Sequence, residues 1–116
     1  MASLSISEAE YETLAAPELK RLLDALDAIE SDELEVELES DILTLEFSDD
    51  TRYVINSHRA ARQIWMAAER SAWHFDWDSA RQAWVATKTG DELWQALGTV
   101  IGNKLGRRIE LLRTSS

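Results

Sequence analysis

Asp32, Glu33, Glu35, Glu37, Glu39 and Asp41 place a carboxylate at nearly every second residue of one short stretch, with Leu34, Val36 and Leu38 between them. Asp24, Asp27 and Glu30, spaced three apart just upstream, put three more carboxylates on one side of a helix end. If the strand returns beside that helix, Asp24, Asp27, Glu30, Asp32, Glu33, Glu35 and Glu37 form one acidic surface. Hard cations prefer oxygen ligands, so such a surface would bind Fe(II), Fe(III), Ca(II) or Mn(II) weakly and with little selectivity. The EF-hand spacing is absent. The plainer reading is a solvated acidic face that keeps the chain soluble and guards a strand edge against aggregation. The two readings are compatible.

Other chemistry is sparse. With no cysteine, disulfides, thiolate ligation and cysteine nucleophiles are excluded. His58 falls in an expected loop and His74 in a strand, neither with a serine or acid at catalytic spacing. His74 is either a strand-surface histidine or the donor of a nitrogen ligand or hydrogen bond. No glycine-rich phosphate loop or nucleophile elbow is present, which argues against a conventional enzyme. Five tryptophans are many for 116 residues, and most should fill the core. Period two sets Ile64 and Met66 on one face of a strand and Gln63 and Trp65 on the other. If the first pair faces the core, Trp65 faces water and suits a protein-binding hot spot; otherwise it is ordinary core.

The elements that position these residues follow from periodicity. Ser7 and Glu10 have capping-box spacing ahead of Tyr11, Leu14, Leu19, Leu22, Leu23, Leu26 and Ile29. This predicts an amphipathic helix whose polar face carries Glu12, Glu18, Lys20, Asp24 and Asp27, kinked or restarted at Pro17. Alternation then predicts strands over 33–39, 42–47, 52–56, 62–67, 72–77 and 83–87, with 57–61 a loop. Thr89 and Glu92 have a second capping-box spacing, opening a helix through Leu105 that ends at Gly106. Gly98 and Gly102 within it would permit close approach to the sheet or the first helix, and residues 109–112 read as a short extended tail. Two amphipathic helices and a sheet with one apolar face predict an α+β two-layer sandwich, both helices on one face of an antiparallel sheet of about six strands.

A chain of 116 residues suits a single domain, with an ordered core over about 7–112. Charge is unevenly divided: residues 1–50 carry net −14 and residues 51–116 net +4. The acidic half disfavours nucleic acid and anionic membrane and favours cations or a basic protein surface. No apolar run approaches the ~20 residues of a membrane span, and no signal-like start is seen. The expectation is a cytoplasmic protein, or a mature form from which a targeting segment was removed.

The segments Tyr53–Trp65 (YVINSHRAARQIW) and Trp73–Val85 (WHFDWDSARQAWV), followed by the helix after TKTGDELW, resemble the frataxin family, and His-Phe-Asp resembles its bacterial CyaY-type branch. The resemblance implies the helix–six-strand–helix sandwich and a non-enzymatic role in iron–sulfur cluster assembly. Iron, Fe(II) or Fe(III), would bind on a ridge of Asp24, Asp27, Glu30, Asp32, Glu33, Glu35 and Glu37. A cysteine desulfurase and a scaffold protein would meet a sheet surface that includes Asn56, Gln63, Trp65 and His74. It implies a monomer that metal can assemble into oligomers; ferroxidase chemistry is described for some members. The chain departs from the family pattern at Ser40-Asp41, where Gly-Gly is frequent in the first hairpin, at Ala60, near a common proline, and at Pro17.

Overall fold

The structure, a computed structural model, describes residues 6–29, 32–109 and 111. The chain runs α1 (Glu8–Asp27), β1 (Leu34–Glu39), β2 (Ile42–Phe47), β3 (Arg52–His58), a 3-10 turn (Arg59–Ala61), β4 (Gln63–Ala68), β5 (Ser71–Asp78), β6 (Ala83–Ala86) and α2 (Leu93–Leu105). The six strands pair antiparallel in sequence order, each with the next. Both helices contribute to one core against one face of this sheet, so the expected two-layer α+β sandwich is the architecture.

Alternation in each strand decides which face is which. Leu43, Leu45, Phe47, Tyr53, Ile55, Ile64, Met66, Phe75 and Trp84 are buried under Tyr11, Leu19, Leu22 and Leu26 of α1 and Leu93, Leu97 and Ile101 of α2. The residues between them, among them Thr44, Glu46, Val54, Asn56, Trp65, His74 and Asp76, point to the opposite, helix-free face.

Both bonds of the Ser7–Glu10 capping box are made, and α1 runs unbroken past Pro17, which lies on its exposed side. Glu18 is not on the water face. Its carboxylate is fully buried, accepting from Trp94 Nε1 at 2.9 Å and from Arg21 Nη2 at 2.9 Å. The second expected capping box does not form. Thr89 instead bonds Asp91, and Glu92 is the N-cap, accepting from the Gln95 N–H. The cause is pairing: the Ala86 N–H donates to the Asp91 carbonyl at 2.7 Å and Glu92 bridges Val85, so 91–92 stay extended along the outer edge of β6. Gly98 and Gly102 admit neither the sheet nor α1. A Cβ at Gly98 would meet the Ile109 carbonyl at 3.2 Å and one at Gly102 the Arg107 carbonyl at 2.8 Å, so the glycines let the chain after α2 fold back along the helix.

The first hairpin turns in two residues, with Glu39 opposite Ile42 and Ser40 in the left-handed region at φ +55°. β3 extends into the expected loop: Ser57 pairs with Ile64 and His58 with Gln63. The Tyr11 hydroxyl donates to the Gln63 carbonyl at 2.7 Å and shares a 2.6 Å hydrogen bond with Ser57, which satisfies polar groups that made this segment resemble a loop. Arg62, expected in β4, instead caps the 3-10 turn at φ +54°.

Candidate functional site

Two surfaces carry the candidate residues. The first is the edge where α1 ends and β1 begins. Asp24 is exposed and loosely paired with Lys20 at 3.5 Å, one helical turn away. Asp27 is the exposed last residue of α1, and Asp32 and Glu33 are exposed in the turn entering β1. Glu30 lies outside the described residues. In β1 the alternation is clean: Leu34, Val36 and Leu38 pack on the core, while Glu35, Glu37 and Glu39 are exposed. The glutamates of β1 therefore project from the helix-free face, whereas Asp24 and Asp27 belong to the helix layer. The acidic groups flank the edge strand from two sides. Across the hairpin Glu35 stands directly opposite Glu46, whose own carboxylate is held by Arg52 at 3.0 Å.

Among the described residues no group of three or more histidine, aspartate or glutamate side chains is placed to hold one ion. What this edge offers is a concentration of solvated oxygen donors, which attracts hydrated cations and basic surfaces without enclosing either.

The second surface is the open face of the sheet. Strand register sets Asn56 opposite Trp65 and Trp65 opposite His74. Gln63, two residues from Trp65 on β4, accepts from the indole Nε1–H at 2.7 Å and donates to Asp76 Oδ1 at 3.1 Å. All four sequence-derived residues of this surface thus fall in one neighbourhood. Ile42, the one large hydrophobic side chain among the described residues with substantial exposure at 45%, extends the same row beside Asn56.

Two members escape sequence reasoning. The His58 imidazole stacks on the indole of Trp65 with ring centroids 3.9 Å apart, opposite the imidazole of His74 at 4.4 Å. Asp76 anchors Gln63. The parity signal for His58 exists, since it lies two residues beyond Asn56. It is legible only once β3 is known to continue past Asn56.

An antiparallel six-strand sheet with two helices on one face, an open aromatic face opposite and a carboxylate-rich edge define the class. Residues 4–107 match the frataxin-like domain family, and the chain belongs to that family. It is 35% identical over 107 residues to the iron-sulfur cluster assembly protein CyaY of Dechloromonas aromatica, covering 91% of this chain and 99% of that one. Among solved structures, frataxin from Psychromonas ingrahamii superposes with a TM-score of 0.82 at 20% identity, covering 92% of this chain and 99% of that one. Trimeric frataxin from the yeast Saccharomyces cerevisiae, solved in complex with ferrous iron, has a TM-score of 0.58 at 25% identity, covering 92% of each chain.

Proposed function

We propose that this protein is an iron-binding accessory protein of iron–sulfur cluster assembly, not itself an enzyme, which modulates a cysteine desulfurase and its scaffold protein. The observation that carries the reading is family membership over residues 4–107, joined in this chain to an exposed carboxylate edge at Asp24, Asp27, Asp32, Glu33, Glu35 and Glu37. Glu30 is assigned to the same ridge from its spacing. The donor chemistry fits: carboxylate oxygens suit Fe(II) and Fe(III), and ligands that do not converge leave most of the coordination shell to water. Iron is then held weakly and exchanged readily, as a cargo ion. The ferrous complex of the yeast relative supports iron as the ion. Asn56, Gln63, Trp65 and His74 form the partner surface, and the acidic edge steers the molecule towards a basic partner. The reading extends to a cytoplasmic monomer that metal assembles into oligomers, supported by the bacterial CyaY relatives and by the trimeric yeast frataxin complexed with ferrous iron.

A second reading is favoured by the lack of three converging ligands among the described residues: an acidic module that docks a basic partner, with incidental metal binding. Anaerobic Fe(II) titration followed by amide NMR separates the two. Iron binding on the ridge perturbs residues 24–37 selectively and saturably; scattered or absent shifts there overturn it. Binding to the desulfurase of the host organism should weaken with Trp65→Ala and with Asp24→Lys plus Asp27→Lys. Unchanged affinity in both variants removes the partner assignment.

A further inference from the structure

A histidine ring stacks on each side of the half-buried Trp65 indole. His58 from β3 covers one side, its ring plane within 18° of the indole, and His74 from β5 covers the other, within 16°. Each member of this three-ring sandwich comes from a different strand. Each of two members is further fixed by a hydrogen bond: His58 Nδ1 accepts from the Ala61 N–H at 3.3 Å, and Trp65 Nε1 donates to Gln63 Oε1 at 2.7 Å. The 3-10 turn that follows β3 therefore sets the His58 ring, and the His58 ring sets the indole. A partner cannot stack a guanidinium or an aromatic ring on Trp65 without first breaking this sandwich. What the face presents is the common edge of three parallel rings, beside Asn56 and Ile42.

Holding a large side chain in its binding orientation before the partner arrives removes the ordering cost that a free surface tryptophan would meet on association. It also restricts how a partner can bind: the C–H and N–H edges of the rings are presented, whereas a cation-π clamp needs the covered faces. We propose that His58 is a positioning residue of the docking face, holding Trp65 between two imidazoles so that the ring edges meet the cysteine desulfurase. This rests on the partner-surface reading above, and the experiment separates failure of one from failure of the other.

The full-length chain is titrated with the host cysteine desulfurase by calorimetry, as wild type, Trp65→Ala, His58→Ala and His58→Phe, with melting temperatures and indole ¹H–¹⁵N spectra of each. Removing the covering ring in His58→Ala should weaken binding by up to about tenfold, the scale of one aromatic stacking pair. It should also shift the Trp65 indole N–H resonance and leave the melting temperature close to wild type. His58→Phe, which keeps a flat ring and discards the imidazole nitrogens, should restore affinity to within about twofold. If Trp65→Ala weakens binding and His58→Ala does not, the positioning role is overturned and the partner surface stands. If Trp65→Ala leaves binding unchanged, both fall. A His58→Phe variant as weak as His58→Ala, or a loss of affinity matched by a loss of stability, also overturns the proposal.

Discussion

The indole Nε1–H of Trp94, on the first turn of α2, donates to the buried carboxylate of Glu18 in the middle of α1, at 2.9 Å across 76 residues of sequence. Arg21 closes the arrangement from the same helix with bonds of 3.1 and 2.9 Å to the other carboxylate oxygen. A buried carboxylate that loses a partner is costly, and so is a buried donor left bare. Glu18→Ala should therefore destabilise by about 3–5 kcal/mol, and Glu18→Gln, which keeps an acceptor for Trp94, by about half as much. Because the two groups satisfy each other, Glu18→Ala with Trp94→Phe should cost clearly less than the sum of the single changes in urea unfolding. Strict additivity would show that the bond contributes nothing.

A left-handed residue other than glycine carries backbone strain, and Ser40 carries it at φ +55° in the two-residue turn of the first hairpin. Ser40→Gly relieves that strain at the expense of greater freedom in the unfolded chain. The net gain should be about 0.5–1 kcal/mol, read as a higher urea midpoint at unchanged slope. A lower midpoint would mean that the serine side chain makes a compensating bond.

The two features differ in how far the sequence shows them. The hairpin is legible because Leu34–Leu38 and Leu43–Phe47 alternate, and the two turn residues, Ser40 and Asp41, are those left between the strands 33–39 and 42–47. The amphipathic helices were legible through their three- and four-residue spacing. Glu18 was not: a glutamate among Lys20 and Asp24 looks solvated, and only a donor arriving from α2 makes its burial tolerable. Capping-box spacing at Thr89 and Glu92 points to a start of α2 that the pairing of Asp91 and Glu92 with β6 prevents. Of the open-face residues, Gln63 and Trp65 follow from parity and Asn56 and His74 from the family resemblance, whereas His58 is hidden because two polar residues mask the end of β3. Local pattern was sufficient wherever the core dictated it, and insufficient wherever a long-range hydrogen bond allowed a polar residue to break it.

Both tyrosines of the chain should ionise late. Burial raises the Tyr11 phenol above its ordinary 10.0, against the opposing bond from Ser57. Burial, reinforced by the negative charge of Glu69, pushes Tyr53 up to about 12. A folded-state value above the unfolded one means that the stabilisation is complete below pH 10 and is lost as pH rises through about 12. Tyrosinate absorbance at pH 10 should fall well short of the half-ionisation of free tyrosine, then rise together with loss of the near-ultraviolet circular dichroism. Half-ionisation at pH 10 with that signal intact would contradict the burial of both phenols.

The carboxylate edge should be stabilised by removing charge. Glu35 faces Glu46 directly across β1 and β2, and like charges in that position repel. Asp27, at the C-terminal end of α1, is placed against the negative end of the helix dipole, and no basic residue occupies that last turn. Asp27→Asn with Glu35→Gln should leave the metal-free protein as stable as before or raise its stability by up to about 1 kcal/mol. The gain should shrink as salt screens these exposed charges. Thermal melts at low and high ionic strength measure both effects. A melting temperature clearly below wild type would show that these carboxylates are structurally paired, and that the acidic edge is retained for the fold and not for a cation or a basic partner.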